Sequence, residues 1–200
     1  MTSRLFAVCV AVWTVFTPVV YAQRSIASVL GELDKVRSLH EACITPDGHR
    51  SAWVEDVTGG TEIYVLNEAH GDMHRISAAT DDRAHTERGL AWAADSRMLA
   101  FLSDAVTPGQ LQVFVVDVSK LDVPRRVTSV KGQLAHALWS PDGKQIAVLF
   151  VAGSTQETGA LAAYKPDAGV VGDVIEEQRI AIVDVATGAI REVSPPNLYV

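Results

Sequence analysis

A four-residue cluster recurs along this chain at a nearly constant interval, and no other feature limits its fold so tightly. Thr45-Pro46-Asp47-Gly48 is echoed by Ala93-Ala94-Asp95-Ser96 and again by Ser140-Pro141-Asp142-Gly143, with the aspartates 48 and then 47 residues apart. Other landmarks keep step with it. Trp92 and Trp139 each stand three residues before their aspartate. Ala52-Trp53-Val54, Leu99-Ala100-Phe101 and Ile146-Ala147-Val148 follow it. Next come Ile63-Tyr64-Val65-Leu66-Asn67, Val113-Phe114-Val115-Val116-Asp117 and Ile180-Ala181-Ile182-Val183-Asp184. Each unit closes on a basic residue and a short β-prone end: Arg75-Ile76-Ser77, Arg126-Val127-Thr128 and Arg191-Glu192-Val193-Ser194. A chain with three such periods is built of repeats.

Each landmark has a physical reason. In Ser140-Pro141-Asp142-Gly143 the serine suits the first position of a type I turn, and the proline pre-sets φ at the second. Aspartate tolerates the third position and glycine accepts positive φ at the fourth. Strands must therefore flank the cluster. The middle unit keeps only the aspartate, which predicts a less tightly specified turn. Gln145 to Val151 is apolar at alternating positions of both parities, as in a strand covered on both faces. Asn67, Asp117 and Asp184 end strands, where an Asx side chain can bond the backbone of the coming turn. Four short antiparallel strands over 45 to 50 residues describe a β-propeller blade. The expected fold class is all-β, a partial propeller of about three four-stranded blades, at about 42–80, 88–130 and 134–195. A β-sandwich of similar hairpins is the alternative, but it does not explain the period.

The third unit carries an insertion. From Tyr64 to Phe114 is 50 residues, but from Phe114 to Ala181 is 67. The excess lies in Ala152 to Gln178, a glycine-containing loop of the kind that tends to carry function.

Before the repeats, Arg4 precedes an apolar run from Leu5 to Val20, and Val20-Tyr21-Ala22 supplies small or tolerated residues at a cleavage site. This reads as a signal peptide, 1–22, cut after Ala22. The other reading is an uncleaved anchor, for which the run is short of the ~20 residues a span needs. Export to the periplasm or beyond is the expectation, with no membrane span left after cleavage. From Ser25 to His40, the apolar residues Ile26, Val29, Leu30, Leu33, Val36 and Leu39 recur at helical steps. Residues 23–41 thus form a leader helix or, in the other reading, a partly ordered linker, ahead of a propeller segment at 42–200. With a net charge of −7 and no basic stripe, the chain is not expected to bind nucleic acid. Cys43 alone follows the leader, so no internal disulfide can form, and it reads as a small core residue.

Trp139-Ser140-Pro141-Asp142-Gly143-Lys144-Gln145-Ile146-Ala147 resembles the WD-like repeat of TolB-type propellers. The wider pattern includes an exported N-terminus, a short helix and a blade insertion holding Gly159-Ala160-Leu161-Ala162-Ala163. It resembles the N-terminal propeller of secreted prolyl oligopeptidase-family serine peptidases, the acylaminoacyl-peptidase and dipeptidyl-aminopeptidase group. That resemblance implies a propeller of about seven or eight blades capping a C-terminal α/β-hydrolase domain, which supplies the Ser-Asp-His triad. The propeller then controls which peptides reach the triad. The TolB resemblance implies instead a periplasmic protein-interaction propeller. This sequence departs from the peptidase pattern in having three units, Leu198-Tyr199-Val200 reading as the opening of a fourth. It also contains no Gly-x-Ser-x-Gly, so no residue here takes a catalytic role.

The remaining candidates are modest. The histidines, His40, His49, His70, His74, His85 and His136, fall into no metal-binding spacing, and neither metal nor cofactor is expected. His136 sits on a predicted inner strand, either lining the channel or half-buried. Gly59-Gly60 reads as a hairpin turn and Asp81-Asp82 as a connection between blades. Glu176-Glu177 is the one pair with a specific implication. Some peptidases of the group hold a peptide's free N-terminal amine on paired propeller glutamates. The surrounding residues here do not match that motif, and a solvated loop end is the competing reading.

Overall fold

The computed structural model describes residues 37–81, 83, 85–154 and 177–196. The leader, nearly all of the expected helix, Asp82, most of the insertion with Glu176, and Leu198 to Val200 lie outside the described residues.

The three repeats are three four-stranded antiparallel sheets with strands in chain order. The first sheet is β1 (Leu39–Ile44), β2 (Arg50–Val57), β3 (Gly60–Asn67) and β4 (Asp72–Ile76). The second is β5 (Glu87–Trp92), β6 (Met98–Ser103), β7 (Gln112–Asp117) and β8 (Arg125–Arg126). The third is β9 (Gly132–Trp139), β10 (Gln145–Ala152), β11 (Gln178–Asp184) and β12 (Ile190–Glu192). A short 3-10 turn, Val118–Lys120, follows β7. Neighbouring sheets meet chiefly along β1, β5 and β9 and separate toward β4, β8 and β12. This is an open, unclosed run of propeller blades. Leu39 and His40, the last residues of the expected helical stripe, belong to β1. There the backbone N–H of Asp56 bonds Ser38 O, and β2 supplies the partners that an isolated helix would have had to find within itself.

The repeated turn is closed by side chains. Thr45 Oγ1 donates to Asp47 Oδ1 at 2.6 Å and accepts the Arg50 N–H at 3.0 Å. Ser140 Oγ does the same with Asp142 and Gln145, at 2.6 and 3.0 Å. Ala93 has no hydroxyl, so Asp95 Oδ1 takes the N–H groups of both Arg97 and Met98, at 2.9 and 3.1 Å. The middle turn is thus closed by the aspartate alone, without the hydroxyl that the other two turns add. Asn67, Asp117 and Asp184 each accept a backbone N–H two residues on, at 3.1 Å in all three.

Two apolar cores separate the blades. Val54, Ile63 and Val65 of the first meet Leu99, Phe101, Phe114 and Val116 of the second. The Phe101 and Phe114 rings stack with centroids 5.8 Å apart. Ala100, Leu102, Val113 and Val115 on the other face of the second blade meet Leu134, Ile146, Val148 and Phe150 of the third. The strands covered on both faces are thus β6 and β7. In β10, Ile146, Val148 and Phe150 are buried, while Ala147, Leu149 and Val151 are only half-buried, because no described element packs on their side.

The outward faces of the end blades differ in chemistry. On the first, Trp53 stacks on Tyr64 with centroids 5.9 Å apart, Arg37 lies over Tyr64 and pairs with Glu55, and Arg75 pairs with Glu62. On the third, Leu138, Leu149, Val151, Ile180 and Ile182 are apolar, and Leu138 is 67% exposed.

Each innermost strand contains a register shift at the same place. The residue there has a left-handed backbone: Glu41 at φ 41°, Gly89 at 71° and His136 at 53°. Such bulges bend an edge strand and re-aim its backbone groups.

Candidate functional site

The most polar region lies where the first blade passes into the second. A cavity of about 360 Å³ is lined there by Thr61, Glu62, Arg75, Asp81, His85 and Glu87, among others. Glu87 opens β5 and is 1% exposed. Its Oε1 accepts the Ala78 N–H at 2.7 Å, the Ser77 hydroxyl at 3.1 Å and the Ser103 hydroxyl at 3.3 Å. Burial pushes this carboxyl above the usual range, and the three donors only partly offset it. The Glu87 N–H bonds Thr61 Oγ1 at 2.7 Å, and the Thr61 hydroxyl donates to Glu87 O at 2.6 Å. Gly60 is required beside this joint, since a Cβ there would stand 2.4 Å from His85 O.

His85 is held between two carboxylates. Its Nε2 lies 2.7 Å from Asp81 Oδ1, and its Nδ1 lies 3.7 Å from Asp104 Oδ1. The His85 bond, aided by Arg83, lowers the Asp81 carboxyl to about 2. Asp104 also takes the N–H groups of Thr86 and Gly109, both at 2.8 Å. The cluster therefore ties the linker between the blades and the starts and ends of three strands to one another.

The second junction repeats the device with amides. Thr128 donates to Gln112 Oε1 at 2.8 Å, and Gln112 Nε2 donates to Val130 O at 2.8 Å. Thr128 Oγ1 accepts the Val113 N–H at 2.9 Å, as Ser194 Oγ accepts the Ile180 N–H at 3.0 Å in the third blade. Beside it, a cleft of about 460 Å³ is bordered by Thr86, Arg88, Asp104, Ala135, Leu149 and Gln178.

The residues singled out from sequence are not brought together. Glu177 precedes β11 and lies 3.8 Å from Arg179 Nη1, which also meets Glu192 at 3.2 Å. Its neighbour Glu176 is outside the described residues. Cys43 is half-buried beside Trp92, and burial raises its thiol to about 11, which keeps it protonated. His70 lies in a turn and His74 on β4, both exposed, and His136 is exposed on β9. Thr58 and Gly59 turn the β2–β3 hairpin, with Gly59 at φ 88°. Among the described residues no group of His, Cys, Asp and Glu is arranged to hold a metal ion, and no helix is long and apolar enough to cross a membrane. The Glu87 and His85 cluster was not singled out from sequence. Its partners come from different strands and a linker, and a glutamate beginning a strand looks like an ordinary surface charge.

No family model matches this sequence. No curated protein matches it. Solved structures do. The β-propeller domain of the Trilobed protease from Pyrococcus furiosus superposes with a TM-score of 0.54 at 14% identity, over 82% of this chain and 45% of that one. Pyrococcus horikoshii acylaminoacyl peptidase gives 0.53 at 14% identity, over 80% and 25%. A TolB-designated protein from Agrobacterium tumefaciens gives 0.53 at 16% identity, over 78% and 48%. Both groups that the sequence resembles are therefore among its structural neighbours, and the likeness establishes the propeller fold. The chain spans between a quarter and a half of the length of these proteins.

Proposed function

We propose that this chain is the non-catalytic propeller segment of an exported serine peptidase, which gates the passage of peptides to a C-terminal α/β-hydrolase domain. The observation that carries this reading is the combination of the WD-like blade at Trp139 to Ala147 with a fold similar to that of acylaminoacyl peptidase. Peptides are the substrate class, and the hydrolase domain is the principal partner. The chemistry belongs to that domain, since Gly-x-Ser-x-Gly does not occur here. The reading frame in genomic DNA tests this directly. Further blades followed by a Gly-x-Ser-x-Gly segment, whose product is labelled by a fluorophosphonate, support it. A natural stop directly after Val200 overturns it. Export is tested by sequencing the mature N-terminus, which should begin at Gln23.

Glu176 and Glu177 belong to this proposal as the contact for a peptide's free amine. Glu177 is engaged with Arg179, so an incoming ammonium would have to replace that guanidinium. Kinetics of the whole peptidase decide the matter: unchanged aminopeptidase parameters in Glu176→Gln and Glu177→Gln remove the role.

A second reading, a periplasmic interaction propeller like TolB, draws on the equal TM-score to the TolB-designated structure. It expects blades without a hydrolase in the frame. A pull-down from envelope extract that yields no specific partner counts against it.

A further inference from the structure

The bulge of the second blade presents paired backbone donors: at left-handed Gly89 and the following Leu90, two successive N–H groups converge on a single carboxylate oxygen. Glu41, Gly89 and His136 occupy the same place in the three blades, each three residues before Ile44, Trp92 and Trp139 respectively. Strands β1, β5 and β9 are the edges of their sheets, so one side of each faces no neighbouring strand of its own blade.

In the second blade the concavity is filled from within the chain. Glu41 Oε2 accepts the Gly89 N–H at 2.6 Å and the Leu90 N–H at 3.1 Å. One carboxylate oxygen thus bridges two consecutive amides across the junction between blades. In the third blade the equivalent amides belong to His136 and Ala137. The side chain that would reach them is that of Gly89, which has none. His136 keeps the left-handed backbone and is exposed. Arg88, next to Gly89, borders the same cleft as Ala135, and the Asp104 carboxylate lines it as well.

We propose that the His136 and Ala137 amides form a binding site for a peptide carboxylate, placed as Glu41 is placed on Gly89 and Leu90. The ligand is a C-terminal or side-chain carboxylate approaching the inner edge of the third blade. This inference rests on the chain's own repeat and holds whichever domain follows.

The test is NMR of the 15N-labelled chain, following the His136 and Ala137 amides. The probes are N-acetyl-Gly-Gly with a free carboxylate, N-acetyl-glutamate amide, and the neutral N-acetyl-Gly-Gly amide. Both amides should shift and saturate with a carboxylate probe and stay still with the neutral one. Whichever carboxylate saturates at the lower concentration identifies the source. Gly89→Glu, which supplies an internal carboxylate, should weaken probe binding by about tenfold or more, the loss that a charge-assisted contact implies. Glu41→Ala should open the concavity of the second blade, making the Gly89 and Leu90 amides respond as well. No response at His136 and Ala137 to either carboxylate, or an equal response to the neutral probe, overturns the proposal. If Gly89→Glu does not fold, Glu41→Ala still decides, because silent Gly89 and Leu90 amides in that variant overturn it too.

Discussion

The hydroxyl of Ser96 accepts the backbone N–H of Asp47 at 3.0 Å, tying the hairpin turn of the second blade to that of the first. Ser96 is buried and stands at φ 57°, where its counterparts Gly48 and Gly143 stand at 73° and 67°. The same residue gives its carbonyl to Arg50 Nη1 at 3.2 Å. A side chain is thus retained at a position that favours glycine, and its contact with the next turn offsets the backbone cost. Ser96→Ala should lose about 1 kcal/mol or more, because the bond is lost and the left-handed backbone stays costly. Ser96→Gly should lose less, since glycine removes that cost. Urea melts should therefore rank the wild type above the glycine variant and the glycine variant above the alanine.

Two equivalent tryptophans should respond differently to the same change. The Trp139 indole N–H donates to Ala91 O at 3.0 Å across the second junction. The Trp92 indole N–H is buried against Cys43 without a hydrogen bond of normal geometry. Replacing a bonded donor leaves a carbonyl unpaired, whereas replacing an orphan donor by an apolar ring removes a desolvation cost. Trp139→Phe should destabilise more than Trp92→Phe, by about 1 kcal/mol. Equal thermal midpoints would contradict this.

Glu87 gives stability a pH dependence of definite sign. Its carboxyl is raised in the folded state by burial, so the folded protein holds that proton more tightly than the unfolded chain. Its contribution is therefore lost as pH rises from the ordinary glutamate range through the raised value. Glu87→Gln keeps an oxygen acceptor for Ser77, Ala78 and Ser103 and cannot ionise. The variant should gain on the wild type as pH rises through that window. Melting at pH 5 and pH 7.5 reads the difference, and parallel behaviour of the two proteins would sink the assignment.

Gly132 opens β9 at φ 146°, and a Cβ there would stand 2.3 Å from Val151 O and 2.6 Å from the Phe150 ring. Gly132→Ala should cost about 2 kcal/mol or more, since neither the backbone carbonyl nor the packed ring can yield cheaply. Gly48→Ala, at positive φ but with nothing within 4 Å, should cost about half as much. Denaturant midpoints of the two variants test the order.

The repeat was legible in the sequence because its chemistry is local. Asp47, Asp95 and Asp142 close turns within five residues, and Asn67, Asp117 and Asp184 bond two residues ahead. Periodicity alone misread one place. Leu39 and His40 fit a helical stripe, yet β2 captures them as strand, an outcome decided by a partner about 15 residues away. Gln145 to Val151 reads as covered on both faces; the described residues supply the cover on the Ile146, Val148 and Phe150 side. The Glu87 and His85 cluster escaped sequence reasoning because the linker and three strands must meet before its bonds exist. The bulges escaped it as well, for Glu41 and His136 share no residue type with Gly89; only their backbone is alike.

The contrast between the two end faces bears on the order of events during synthesis. The first blade leaves the ribosome with Arg37, Glu55, Glu62 and Arg75 already paired among themselves. That side can wait in water without seeking a partner. The third blade emerges with Leu138 exposed and Leu149 and Ile182 half-buried beside it, so among the described residues this side gains from an apolar cover. The two outward faces therefore differ in how well each tolerates water while the rest of the molecule is being made.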